Sequence, residues 1–198
     1  DERLLDGEGD AAERIAQAQV VVRADLLWPD ERALCAAWLG PAGALFALPG
    51  EGDDVHLVEG PGWRVPHLLG AALHLGPRPR ADHDGVLVTT TRNLHALLAL
   101  GTQADPQGIA EALELDAAPS PEDAAPLLAL AAVRPAHVRI STGDRALHVL
   151  DRQEAPLWVL AERADGALAG GPATPTVLWR GLSALLPRND EVGSSASQ

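Results

Sequence analysis

The sequence predicts an α+β fold in which a central, mostly antiparallel sheet is flanked by two helical groups. Three observations carry this. Short β-branched or apolar runs recur at close spacing, separated by Gly, Pro and Asp. Asp105-Pro106, Ser120-Pro121 and Thr174-Pro175 each place a capping side chain ahead of a proline suited to the first helical position. The order helix, four strands, helix occurs twice, which predicts a quasi-twofold internal repeat.

In chain order, residues 13–19 close a first helix and 20–26 form a β-branched strand. Trp28-Pro29-Asp30-Glu31 turns the chain into a strand at 33–39. Gly40 to Gly43 turns it again into 44–48, and the acidic turn from Pro49 to Asp54 leads to 55–58. A helix over 66–75 stops at Gly76-Pro77-Arg78-Pro79. A strand at 86–90 follows, and Thr91 caps a short helix over 92–100. Further helices are expected near 106–115 and 121–133. The strands 137–141, 146–150, 157–161 and 167–169 then repeat the first set, and a last helix reaches Leu186. One domain over 1–198 is expected, with half-repeats at 12–77 and 121–187 and a connector at 78–120. The first ten residues and the tail 188–198 are polar and expected to fray. Meander sheets expose edges, and joining the halves into one sheet covers them most economically.

Composition narrows the function. The chain has 28 acidic and 15 basic residues, all of the latter Arg, for a net charge of -13. Such a field repels phosphate backbones and anionic lipid, so neither nucleic acid nor a membrane surface is an expected partner. No apolar run reaches the roughly 18–20 residues of a membrane span. The start has no basic region ahead of an apolar stretch, so a secretory signal is not expected. With no Met anywhere, the native protein is expected to begin before residue 1. The single Cys35 lies among apolar neighbours and reads as a small buried hydrophobe in a reducing, cytoplasmic compartment.

The inventory for catalysis is thin. His67 and His74 are seven apart on a predicted helix, with no third ligand nearby in sequence. Asp82-His83-Asp84 is the most metal-like cluster, in a Pro/Arg-rich loop that suits a solvated turn better. Gly50-Glu51-Gly52 joins two strands among carboxylates and cannot cradle phosphate; Gly170-Gly171 precedes a helix with no cation before Arg180. Neither Ser141 nor Ser183 has a base in register. The expectation is therefore no enzyme, no cofactor and no metal.

Protein binding suits the residues better. Five Trp occur beside one Phe and no Tyr. Trp38, Trp158 and Trp179 sit inside strand or helix patterns and are expected in the core, whereas Trp28 and Trp63 sit at turns, where exposed Trp serves as an interface anchor. The middle helices carry more leucine than short segments need, and the surplus is expected to line a groove.

The runs Ala44-Leu-Phe-Ala-Leu-Pro-Gly50, Val55-His-Leu-Val58 and Leu68-Leu-Gly-Ala-Ala-Leu-His-Leu-Gly-Pro77 resemble the middle of EspG proteins. The strand 86–90 leading into Leu94-His-Ala-Leu-Leu98 continues the likeness. So do Leu157-Trp-Val-Leu-Ala161 and Pro172-Ala-Thr-Pro175 with the Leu-rich final helix; the likeness spans 12–187 and the family's N-terminal elements are missing from it. EspG proteins are the cytosolic chaperones of ESX (type VII) secretion in mycobacteria and related actinobacteria. The resemblance implies a quasi-twofold fold and no enzymatic activity. It also implies binding of the hydrophobic helical tip of a PE–PPE heterodimer, or of another helical ESX substrate, by a monomer or weak dimer. The family's contact uses the loop between its second and third strands and a helical bundle. By order of elements these are 27–31, with Trp28 as anchor and Asp30 and Glu31 as rim, and the helices near 92–100, 106–115 and 121–133 with the final helix. Leu97, Leu113 and Leu127 are the bundle residues expected to meet the client. The runner-up is a structural or regulatory domain that self-associates through its sheet edge.

Overall fold

The structure, a computed structural model, describes residues 3–4, 8–50, 54–74, 78–81, 85–152 and 154–186. Its ten strands are β1 (Arg3–Leu4), β2 (Val20–Trp28), β3 (Arg32–Gly40), β4 (Gly43–Pro49), β5 (Val55–Gly60), β6 (Leu87–Thr89), β7 (Ala136–Thr142), β8 (Arg145–Asp151), β9 (Leu157–Glu162) and β10 (Leu168–Ala173). Its helices are α1 (Glu8–Ala16), α2 (Val65–Ala72), α3 (Thr91–Leu100), α4 (Pro106–Leu113), α5 (Pro121–Val133) and α6 (Pro175–Leu185). The strands form one sheet in the order β1-β5-β4-β3-β2-β7-β8-β9-β10-β6. Every neighbouring pair in it is antiparallel. The expected α+β class and the joining of two meanders into one sheet are both found.

The capping side chains work as their sequence suggests. Asp105 accepts from the Gly108 amide, Ser120 from Asp123 and Thr174 from Val177, each one residue ahead of a proline at the first turn. Over 90–91 the cap is Thr90, which accepts from Asn93, and not Thr91.

Side-chain alternation sorts the sheet residues onto two faces. One face carries Val22, Ala24, Leu26, Cys35, Ala37, Phe46, Val138, Ile140, Val149 and Leu157. It is covered by α2 through Val65 and Leu69, and by α6 through Leu178, Leu182 and Leu185. The opposite face carries Leu150, Trp158, Leu160 and Leu168, under α3, α4 and α5. At the far end of that face, α1 lies over β3 to β5, its Arg14 Nε pairing with Glu59 at 2.7 Å. Burial, with a smaller push from the Asp25 charge, raises the Cys35 thiol to about 11, so it stays protonated and packs as the small hydrophobe expected.

Several expectations are corrected. The first helix occupies Glu8–Ala16 and not 13–19, and β1 pairs with β5, so the first ten residues include ordered elements. The α2 helix ends at Ala72 and His74 has φ 52°, so His67 and His74 do not share a helical face. Gly170-Gly171-Pro172 belongs to β10 rather than to a pre-helical turn. A Cβ on Gly170 would lie 2.1 Å from the Val159 carbonyl oxygen, and one on Gly171 would lie 2.1 Å from that of Gly85, so only glycine admits these approaches. Pro172 follows where β6, paired only to Leu168–Gly170 of β10, has ended. By contrast, the 78–120 segment, expected as a connector with a strand and short helices, carries the edge strand β6 and helices α3 and α4, which pack with α5. Trp158 is buried, Trp38 is half-buried, and Trp179 is exposed at 39% rather than core. The Asp82–Asp84 cluster, Glu51, Gly52 and the 188–198 tail lie outside the described residues.

Candidate binding surface

The β2–β3 turn is aimed by a bulge. In the β2–β7 ladder Leu26 pairs with Val138 and Trp28 with His137, so Leu27 is an extra residue on β2. In a ladder without the bulge, with Leu27 opposite His137, Trp28 would share the parity of Val22, Ala24 and Leu26 and lie under α2 and α6. With it, Trp28 crosses to the other face, against the α3–α5 cluster. Its indole rests on the His95 ring of α3 at 5.5 Å between centroids and is half-buried. Pro29, Asp30 and Glu31 follow it, all exposed.

Behind Trp28 runs a chain of imidazoles that sequence reading did not assemble. His95 Nε2 lies 2.9 Å from His137 Nδ1, and His137 Nε2 lies 2.8 Å from His148 Nδ1. His148 Nε2 lies 3.0 Å from Glu162 Oε2, which also accepts from Arg139 Nε at 2.9 Å. An ionised carboxylate only accepts, so His148 must donate through Nε2 and accept at Nδ1. The same logic passes back to His137 and His95, and one tautomer satisfies the whole line. His137 is fully buried. Desolvation pushes it down to about 3, with further pressure from the neighbouring His148 and His95. Desolvation also lowers His95, against the raising pull of Glu31, and lowers His148, against its bond to Glu162. The Arg139 hydrogen bond, then the one from His148, holds Glu162 below the usual carboxylate range.

Chemically, this line can hold or pass a proton, and it fixes α3 to the sheet. Its ring nitrogens are engaged with one another and do not converge on a point. Among the described residues there is no group of three or more His, Cys, Asp or Glu placed to hold a metal. Nor is any helix among them long and apolar enough to cross a membrane.

The structure brings some expected contact residues together and withdraws one. Trp28, Leu113 and Leu127 all pack, half-buried, at the margin of the α3–α5 cluster. Asp30 and Glu31 sit on the exposed turn beside it. Leu97 is at the centre of that cluster with 0% exposure, because its turn of α3 faces the sheet, so it presents no area to a partner. The final helix α6 packs with α2 on the opposite face and does not belong to the α3–α5 group.

No protein-family model and no curated protein sequence matches the chain. Among solved structures it is similar to the Mycobacterium tuberculosis type VII secretion system chaperone EspG5, solved in complex with a PE25–PPE41 dimer. The TM-score is 0.57 at 18% identity, covering 93% of this chain and 81% of that one. At that identity the likeness shows a common fold.

Proposed function

We propose that this chain is a non-enzymatic, cytoplasmic chaperone of the EspG type. In this reading it binds the apolar helical tip of a PE–PPE heterodimer, or of a similar ESX substrate, and keeps it soluble for export. The observation that carries the reading is the Leu27 bulge, through which Trp28 packs on the α3–α5 side of the sheet. The fold shared with a chaperone solved on a PE–PPE dimer supports it. Trp28 would supply the rigid aromatic edge, Leu113 and Leu127 the apolar wall, and Asp30 and Glu31 the polar rim usual in a non-obligate interface. The net charge of -13 would keep the empty protein dispersed as a monomer or weak dimer.

The test is titration with a purified PE–PPE heterodimer, read by calorimetry and by light scattering on a sizing column. A stoichiometric ternary complex is expected. Replacing Trp28 by Ala should weaken binding by at least about 1 kcal/mol. Because the indole leans on His95, that variant should also lose some stability, so the decisive variant is Asp30→Arg with Glu31→Arg. It should change the association rate by about tenfold while leaving the melting temperature unchanged, as expected for exposed rim charges. Absence of any complex, or a tight obligate dimer in its place, would overturn the reading.

The palindromic strand order supports a duplicated ancestor. The half-repeats we infer are β1 to α2 and β6 to α6, related by a twofold axis between β2 and β7, with α1 answering to α3–α5 and α2 to α6. Superposing β2–β5 on β7–β10 with matching connectivity and matching helix faces is the expected result; failure to overlay would remove the duplication.

A further inference from the structure

The opposite face of the sheet carries a second exposed aromatic surface. Helices α2 and α6 lie side by side there and leave a groove of about 340 Å³, lined chiefly by His67, Gly70, Ala71, Leu178, Trp179 and Leu182. His67 stands between two tryptophans, 6.4 Å from Trp63 and 4.5 Å from Trp179 between ring centroids. Trp63 is 70% exposed and Trp179 39%, with Val177 beside them at 48%. Large rings are rarely left in water without use, and a cluster of them beside an apolar groove marks an interaction surface.

The local charge says what kind of partner fits. Neither 61–74 nor 174–186 contains a single Asp or Glu, in a chain that carries 28 of them. The charged residues of the two segments are Arg64, which lies over the Trp63 ring at 6.0 Å, and the exposed Arg180, next to Trp179 in sequence. A second copy docked through the same surface would set these arginines against each other, so an isologous dimer is disfavoured. An extended anionic surface such as a membrane would be repelled by the remainder of a chain of net charge -13.

We propose that the α2/α6 groove is a second docking surface, one that takes an acidic amphipathic segment of another protein. The segment seats its apolar side chains on the exposed Ala71 and Pro175 between the tryptophans and places carboxylates toward Arg64 and Arg180. This is helix-in-groove recognition, a short amphipathic helix lying along the seam of two others. The surface is on the other face of the sheet from Trp28 and α3–α5, so a bound PE–PPE client would leave it open.

The experiment follows the indole signals of the full chain by NMR, assigned by single Trp→Phe variants. The probe is a synthetic peptide of about 15 residues with leucines at helical spacing flanked by glutamates, and the control replaces those glutamates by lysines. The glutamate peptide is expected to shift Trp63 and Trp179 and to bind about tenfold more tightly than the control, with the preference reversed in Arg180→Glu. Equal affinity for the two peptides, or shifts confined to Trp28, would overturn the proposal. So would preferential binding to vesicles of anionic lipid over the glutamate peptide, because that assigns the surface to lipid. Loss of PE–PPE binding with intact peptide shifts, or the reverse, separates a failure here from a failure of the chaperone reading.

Discussion

Replacing Leu97 by alanine is expected to lower the unfolding free energy by about 2–5 kcal/mol, the range for emptying a well-packed leucine site. Leu97 lies on α3 with no exposed area, in one cluster with Leu94, Leu98, Ile109, Leu130 and Leu160. The α3 helix packs against both α4 and α5 and, through His95, against the sheet, so few neighbours can move to fill the void. For a chain of this size the melting temperature should fall by roughly 4–20 °C. Leu127→Ala, at the half-buried margin, is the companion variant. It should cost less stability and more client affinity. A Leu97→Ala protein with the melting temperature of the parent and weakened PE–PPE binding would show that α3 turns that side chain outward, and the core assignment would fail.

Acid is expected to unfold this protein early. The folded state holds His137 neutral down to about 3, while in the unfolded chain the same group titrates near 6.5. Below 6.5 the unfolded state therefore binds the proton and the folded state does not, so stability falls as pH falls. Above 6.5 nothing is lost, and below about 3 the penalty is complete. Within the window each pH unit costs about 1.4 kcal/mol, or about 2 kcal/mol by pH 5 from this group alone. His95 and His148 are displaced in the same direction and steepen the slope. Glu162, held low by Arg139, adds to the loss once pH passes below its unfolded value of about 4.5. Urea midpoints measured from pH 7.5 to 4.5 should decline through that range. His137→Phe should start lower, because His95 and His148 lose their partner, and decline less steeply. A midpoint that holds level from pH 7 to 5 would mean the imidazoles are hydrated and the buried chain is wrong.

Much of the fold was legible because turns and caps are local chemistry. Ser120 ahead of Pro121 sets both the cap and the first helical residue, and α5 spans the predicted 121–133 without change. Gly143-Asp144 likewise fixes the β7–β8 hairpin, with Thr142 opposite Arg145. That hairpin implied more than was drawn from it. Its register sets His137 opposite Leu150 and His148 opposite Arg139, so the two histidines are diagonal neighbours on one face. His95 joins them from a helix 42 residues away. No pattern along the chain announces that meeting, since it depends on how α3 packs. The same limit explains Leu97 and Trp179. Leucines three or four apart on α3 look alike in sequence, and only the packed sheet decides that Leu94, Leu97 and Leu98 are interior. Trp179 lies one residue from the buried Leu178, and the rotation of α6 leaves its ring in the groove beside His67. The β10 strand was cut short because two glycines and a proline look like the end of a strand. The close carbonyls of Val159 and Gly85 that require those glycines come from elsewhere in the chain.

The bulge at Leu27 makes backbone pairing with β7, rather than residue count along β2, the determinant of where the aromatic goes. Alternation along a strand acts as a two-valued address. An insertion into a regular ladder flips every address downstream, whereas a bulge absorbs the insertion and leaves those addresses in place. Loss of the Leu27 codon would therefore restore plain alternation and still leave the indole opposite His137, on the α3–α5 side. For proteins built on this sheet, relatives that lack the bulged residue of β2 should still furnish the same side for a partner. An alignment that closes such a gap by sliding residues would put the aromatic out of step, and the ladder pairing with β7 would set it right.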